Sequence, residues 1–396
     1  MDQAPFAGIT VVDLGQIYNA PYATFLLALG GADVIKVEPL TGENLRGRGR
    51  VAGAGAPFAM LNSNKRAVTL NLKHPEGIAL LEQMVVKADV FVENFRPGVT
   101  ERLGVGPERL HALNPRLIYA SGSGYGSTGP YRDLPAMDIT IQAMSGIMSV
   151  TGFPDREPVK AGPAFSDFMG GIHLYGAIVA GLYQRERTGR GTSVEAAMLD
   201  AVYPSLMSSL GLFFGSTGEA PTRTGNRHSG MAEAPYNVYP ARDGYIALIC
   251  VSEGHWRALT GLMGCPELAT DPEFIDRVAR VRIIDRVDEL VANWSRQFSK
   301  AELAEKLQSV GVPSAPVREI GEVVADPHLR QRGMLSEMDH PQEGPLIMPH
   351  SPIRIGDFYA ELVPSPTLGQ DNDAVYGDWL GLDATTIAEL HDKGVI

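Results

Sequence analysis

Asp167, in KAGPAFSDFMGG (160–171), is the carboxylate best placed to do chemistry: it precedes an apolar run, and Gly170 and Gly171 follow it closely. The simplest reading is an N-cap, because Asp accepts hydrogen bonds from the open N–H groups of a helix's first turn. That same position keeps a carboxylate ionised through the positive end of the helix dipole. An ionised Asp beside small residues that permit close approach is what covalent catalysis by a carboxylate requires. A second chemical signal is charge. Residues 46–102 hold nine basic side chains (Arg46, Arg48, Arg50, Lys65, Arg66, Lys73, Lys87, Arg96, Arg102) against five acids (Glu76, Glu82, Asp89, Glu93, Glu101). This excess suits either solvated faces and a loop at NLRGRGR (44–50), or a pocket for a polyanionic small molecule such as a nucleotide or coenzyme A.

Other chemistries are disfavoured. Gly124-Tyr-Gly126-Ser-Thr-Gly129 matches G-x-G-x-x-G after a strand, but Pro130 and polar residues follow where a dinucleotide site needs a helix. No G-x-S-x-G elbow occurs, since ASGSGYG (120–126) has Ala120 in the first glycine's place. The nine histidines form no H-E-x-x-H, and Asp371-Asn-Asp373 lacks the rest of a calcium loop, so no metal is expected. The chain of 396 residues carries a net charge of −12, which disfavours nucleic acid and anionic membranes as partners. Cys250 and Cys265 cannot build a disulfide scaffold. MDQAPFAGITVVDL has no signal-peptide pattern, and LYGAIVAGLY (174–183) is too short to span a bilayer. The expectation is a soluble cytoplasmic protein.

The elements that would position these residues alternate. ITVVDL (9–14), ADVIKVE (32–38), ADVFVEN (88–94) and RLIYASG (116–122) read as strands, separated by helices at 20–31, 74–87 and 106–114. Such spacing implies right-handed crossovers and a parallel sheet, with ligands at the strands' carboxyl ends. A long helix from Asp167 to about Arg187 precedes a second one at 193–214. Residues 215–235, rich in Gly, Pro, Ser and Thr, form a linker or functional loop; 236–325 form a smaller α+β domain; and 326–396 end in a short helix near 383–392.

With these residues collected, the chain resembles family III CoA-transferases, the family that includes formyl-CoA transferase, carnitine CoA-transferase and the related 2-methylacyl-CoA racemases. The likeness runs through GITVVDL, GADVIKVE, NSNKRAVTLNLKHPEG (62–77), ADVFVENFRPG (88–98), GYGSTGPY (124–131), SDFMGG (166–171), RTGRGTSVEAAMLDAV (187–202) and GVPSAPV (311–317). The resemblance implies a Rossmann-like large domain (1–214 with 326–396 returning to it), a small central domain, and an interlocked homodimer. It implies Asp167 as nucleophile, and a CoA site at Ile17, Leu70, Leu72, Lys73, Asn94, Phe95, Arg96, Arg102 and Tyr125. CoA thioester would be a substrate, with no permanently bound cofactor. Three departures bear on the acids. Pro39-Leu40 replaces a CoA-contacting arginine, leaving that contact to Arg46 or Arg48; GNRHSGMAEAPY (225–236) replaces a glycine-rich lid; and Tyr18 replaces a glutamine beside the reacting carboxylate. Tyr18 and Gly170 would face the substrate, and Arg227 and His228 would bind a second carboxylate, pointing to a small dicarboxylic acid. Backbone N–H groups around Tyr18 and Gly170-Gly171 would serve as oxyanion donors. Racemases of the family carry Gly-His-Asp where this chain has Ala136-Met137-Asp138, and methionine cannot exchange an α-proton. That disfavours racemisation; a non-catalytic CoA-binding protein would not need Asp167.

Overall fold

The computed structural model describes residues 4–48, 55–216 and 221–396. Two compact units divide the chain. The first takes residues up to Ile141, Gly162–Val202 and Asp326–Ile396; the second takes Gln142–Ala161 and Tyr203–Ala325.

In the first unit six strands form one all-parallel sheet: β1 (Thr10–Asp13), β2 (Asp33–Glu38), β3 (Arg66–Thr69), β4 (Val90–Glu93), β5 (Ile118–Ser123) and β6 (Thr192–Ala197). Their order is β3-β2-β1-β4-β5-β6. The chain reverses direction across the sheet between β1 and β4, which opens a crevice beyond their carboxyl ends. Successive strand residues point to opposite faces. Val11, Val34, Val90 and Ile118 pack against α1 (Asn19–Leu29) and later α4 (Phe165–Thr188). Val12, Ile35, Phe91 and Tyr119 pack on the other face with α2 (Pro75–Lys87) and α3 (Pro107–Leu113).

Residues 142–161 and 203–214, expected in the large domain, cluster instead with the second unit, and one element changes type. The stretch from 193 does not begin as a helix: Thr192–Ala197 pairs with β5 from Ile118↔Thr192 to Ser123↔Ala197, and helix resumes only at Met198. Glu and Ala favour helices, but β5 offered an open row of hydrogen-bonding groups, and pairing overrode local preference.

The end of the chain closes the opposite edge. Ala67 N–H donates to Asp371 Oδ2 (2.7 Å), Thr69 N–H to Asn372 Oδ1 (3.0 Å), and Tyr376 O–H to the Thr69 carbonyl (2.7 Å). Leu390, Val395 and Ile396 complete the apolar layer over that side of the sheet. In the second unit, a sheet β7-β8-β9 (Tyr236–Ala241, Gly244–Ile249, Ser314–Pro316) surrounds its own core with Trp256, Val287, Val291 and Leu303.

Candidate active site

The loop from Leu14 to Tyr18 leaves β1 at the crevice, and every peptide in its middle is held. Asp13 Oδ1 accepts from Gly15 N–H (2.7 Å), and Lys36 Nζ donates to the Gly15 carbonyl (2.8 Å). Asn94, just past β4, accepts from Gln16 N–H (2.8 Å) and donates back to the Gln16 carbonyl (2.9 Å). Glu43 Oε2 accepts from Ile17 N–H (3.0 Å). Beneath lies a buried ionic cluster in which Lys65 Nζ meets Asp13 Oδ2 at 2.9 Å. Burial works to raise Asp13, but Lys65 and Lys36 overcome it and hold the carboxyl below its ordinary range. Burial lowers Lys65 to about 8 despite Asp13 beside it.

This loop delivers the chain into α1, whose first turn meets α4. Asn19 Nδ2 donates to the Asp167 carbonyl (3.4 Å). Asn19 fits because nothing stands where a Cβ would be: one on Gly122 would lie 2.4 Å from its Oδ1, one on Gly170 2.2 Å from its Nδ2, and one on Gly171 2.6 Å from its carbonyl. Asp167 itself is buried, with 9% of its surface exposed. It is the third residue of α4 rather than the N-cap, and Ala164 holds the cap position without a side-chain bond. The capping carboxylate is Asp138, whose Oδ1 accepts from Ser166 N–H (2.8 Å). Asp167 therefore lies in the first turn of α4, with the first residue of α1 bonded to its backbone. Tyr18, Asn19 and Ala20 begin α1, where the first N–H groups of a helix have no partner within it. Gly170 and Gly171 lie in the second turn of α4, where each N–H goes to a carbonyl four residues back. They are corrected from oxyanion donors to spacers, and the ring of Tyr18 packs on Phe168 (5.9 Å between centroids).

The cationic side chains sort into spent and available. Arg46 makes a two-toothed pair with Glu38 (2.7 Å each) and stacks over Phe58, so it does not replace the missing arginine. The Arg48 side chain and Arg50 lie outside the described residues. Arg66 pairs with Asp33. Lys73, Arg96 and Arg102 are exposed and meet no carboxylate among the described residues. Beside Arg96, a cavity of about 360 Å³ opens at the ends of β4 and β5, lined also by Glu93, Tyr119, Ser121, Arg132 and Glu195. A Cβ on Gly98 would approach both Arg102 (3.2 Å) and Arg132 (3.6 Å), so these guanidinium groups crowd one turn. Burial raises Glu93, on the cavity wall, to about 7. Other expected contacts are redistributed. Leu70 is a core residue with 1% exposure, while Leu72 and Phe95 pack partly against the same core. Asn94 spends its amide on Gln16; Ile17 and Tyr125 are half-buried, the latter against Tyr131.

In the second unit, Arg227 is claimed by Asp288 (2.7 Å) and Asp285 (2.6 Å), which corrects its assignment as a free carboxylate receptor. His228 Nδ1 accepts from Gly230 and Ala232 N–H (3.2 and 3.3 Å) and shapes its own loop.

A family model described as CoA-transferase family III matches residues 6–372. The chain belongs to CoA-transferase family III. It is an enzyme that transfers CoA. The transferase is 38% identical to acetyl-CoA:oxalate CoA-transferase of Acetobacter aceti, over 90% of each chain. It is 37% identical to succinyl-CoA–D-citramalate CoA-transferase of Chloroflexus aurantiacus, over 99% of this chain and 98% of the relative. A crystal structure of a CAIB/BAIF family protein from Brucella suis superposes with a TM-score of 0.82 at 35% identity, covering 95% of this chain and 99% of that one. Four residues that the fold brings to this candidate site carry no role in the sequence reading: Asn19, Glu43, Glu93 and Arg132. Arg132 alone had a usable signal, as a cation just after GYGSTGPY. The others meet their partners only through the fold, Asn19 at Asp167, Glu43 at Ile17 and Glu93 at Tyr119.

Proposed function

We propose that this transferase moves CoA from an acyl-CoA donor to a small dicarboxylic acid, with succinyl-CoA a suitable donor, through a thioester on Asp167; with Arg227 committed to Asp285 and Asp288, the acid class is supported by the oxalate and D-citramalate in the names of the relatives. A buried carboxylate in the first turn of α4, beside the first residue of α1, carries the reading, because a helix N-terminus favours the anion needed to attack. An Asp167 oxygen attacks the thioester carbonyl; the C–S bond breaks, leaving a mixed anhydride and CoA thiolate. The thiolate attacks the Asp167 carbonyl, releasing the donor acid and forming aspartyl-CoA. The acceptor carboxylate attacks that thioester, expelling thiolate and forming a second anhydride. Thiolate then attacks the acceptor's acyl carbon, giving the new acyl-CoA and restoring the Asp167 carboxylate. The N–H groups of Tyr18 and Asn19 would stabilise each oxyanion. Lys73, Arg96 and Arg102 would meet the coenzyme's phosphates. Cytoplasmic work on soluble substrates belongs to the same proposal; no helix among the described residues is long and apolar enough to cross a membrane.

The homodimer belongs to the same proposal, and the second unit supplies its support. Helix α5 (Met207–Gly215) buries none of its residues, leaving Met207, Phe213 and Phe214 exposed at 64%, 61% and 75%. A helix this apolar needs cover.

The test is incubation with succinyl-CoA and a panel of acids, reading new acyl-CoA species by mass. Asp167→Ala is expected to fold yet lose transfer by roughly three orders of magnitude or more. Wild type with donor alone should carry CoA on the peptide containing Asp167. Appreciable transfer by the variant overturns the covalent route. Deuterium entering a 2-methylacyl-CoA at its α-carbon without transfer would point to a racemase.

A further inference from the structure

We infer that Glu43 is a positioning residue for the transfer reaction, holding the backbone donors of α1 through a strained Ile17. Ile17 lies at φ +65°, in the left-handed region that a β-branched residue rarely enters. It immediately precedes Tyr18 and Asn19, which open α1 where the Asn19 amide reaches the Asp167 carbonyl (3.4 Å). The loop's other bonds act on Gly15 and Gln16; Glu43 alone takes the N–H of the strained residue (3.0 Å). Its position is fixed on three sides. Its own N–H donates to Glu38 Oε2 (3.2 Å), its Oε1 lies 3.4 Å from Lys36 Nζ, and its side chain is 1% exposed. A carboxylate serves both partners because one oxygen accepts from Ile17 N–H while the other faces the Lys36 ammonium as an ion pair. An amide accepts on one side only, so Gln at this position must turn an NH₂ toward either Ile17 N–H or Lys36. Released from Glu43, Ile17 would relax to negative φ and shift the start of α1 against Asp167.

The inference rests on the aspartyl reading above, and the test separates the two. Glu43→Gln is nearly isosteric; Glu43→Asp keeps the charge beside Lys36 but falls one methylene short of Ile17, guarding against collapse of the buried pair. Both are expected to keep the wild-type circular dichroism and to lower kcat by about tenfold or more, while KM for acyl-CoA stays within about threefold. Adding Ile17→Gly, which adopts positive φ without strain, should recover about fivefold or more of the kcat lost by Glu43→Gln. Folded Glu43 variants with wild-type kcat, or a double variant no faster than Glu43→Gln, overturn the inference. Asp167→Ala is assayed alongside: if it retains transfer, the aspartyl reading fails whatever Glu43 does. If it is inactive while Glu43→Gln turns over normally, only the positioning role fails.

Discussion

Lys73 and Arg102 show how far a count of charges reaches at the scale of single residues. The excess between 46 and 102 is visible in the sequence, but acids outside that window consume much of it: Asp13 takes Lys65, Asp33 takes Arg66 and Glu38 takes Arg46. Only the fold reveals that Lys73, Arg96 and Arg102 keep their heads uncommitted. If these side chains meet the coenzyme's phosphates as proposed, replacing Lys73 or Arg102 with Ala removes a charge-assisted contact of about 1.5–3 kcal/mol, and acyl-CoA should bind roughly ten- to a hundred-fold more weakly. Equilibrium binding of CoA measures this, and unchanged affinity in both variants would move the pocket elsewhere. Glu93 yields a prediction of a different kind. Its folded carboxyl, raised by burial to about 7 from an ordinary value near 4.5, keeps its proton where the unfolded chain releases it. Between those values the folded state binds more protons, so Glu93 subtracts stability as pH rises. Glu93→Gln cannot titrate, and its urea midpoint should gain on wild type between pH 4 and pH 8, by a margin on the order of 1–3 kcal/mol. A constant difference would show that Glu93 does not titrate in that window.

At the scale of elements, strands with buried apolar runs were legible, and those decided by pairing were not. VVD and VFV announce β1 and β4, whereas RAVT and SVEAA become β3 and β6 because neighbouring strands complete them. Asp167's helix was legible in extent but not in phase: Asp138 caps it from 28 residues upstream, a relation that no local pattern encodes. The contact of α1 with α4 depends on glycine in a way that can be tested. A Cβ on Gly171 would stand 2.6 Å from the Asn19 carbonyl and 3.2 Å from Tyr22 Cβ, so backbone must move. Gly171→Ala is expected to cost about 1–3 kcal/mol in stability, as overpacking does, and to lower kcat disproportionately by parting Asn19 from Asp167. Thermal melts and turnover together check this. An unchanged melt would mean that the two helices slide apart freely.

At the scale of the whole molecule, the proposed dimer makes stability depend on concentration. Sedimentation should report about twice the 42.6 kDa of one chain, and the unfolding midpoint should rise as protein concentration rises. A concentration-independent midpoint with a 42.6 kDa species would refute the dimer. The tail's hold on β3 has a consequence in time. A ribosome releases the chain from its start, yet the partner of Ala67 is Asp371, 304 residues later. At about 5–20 residues per second, the outer edge of β3 waits about 15–60 s for its cover. Until then an unpaired strand and the apolar layer awaiting Leu390, Val395 and Ile396 face the crowded cell together. An edge left open this long would need chaperones that shield strands, and codon changes that slow the last thirty or so residues should lower soluble yield while leaving the finished protein's stability untouched.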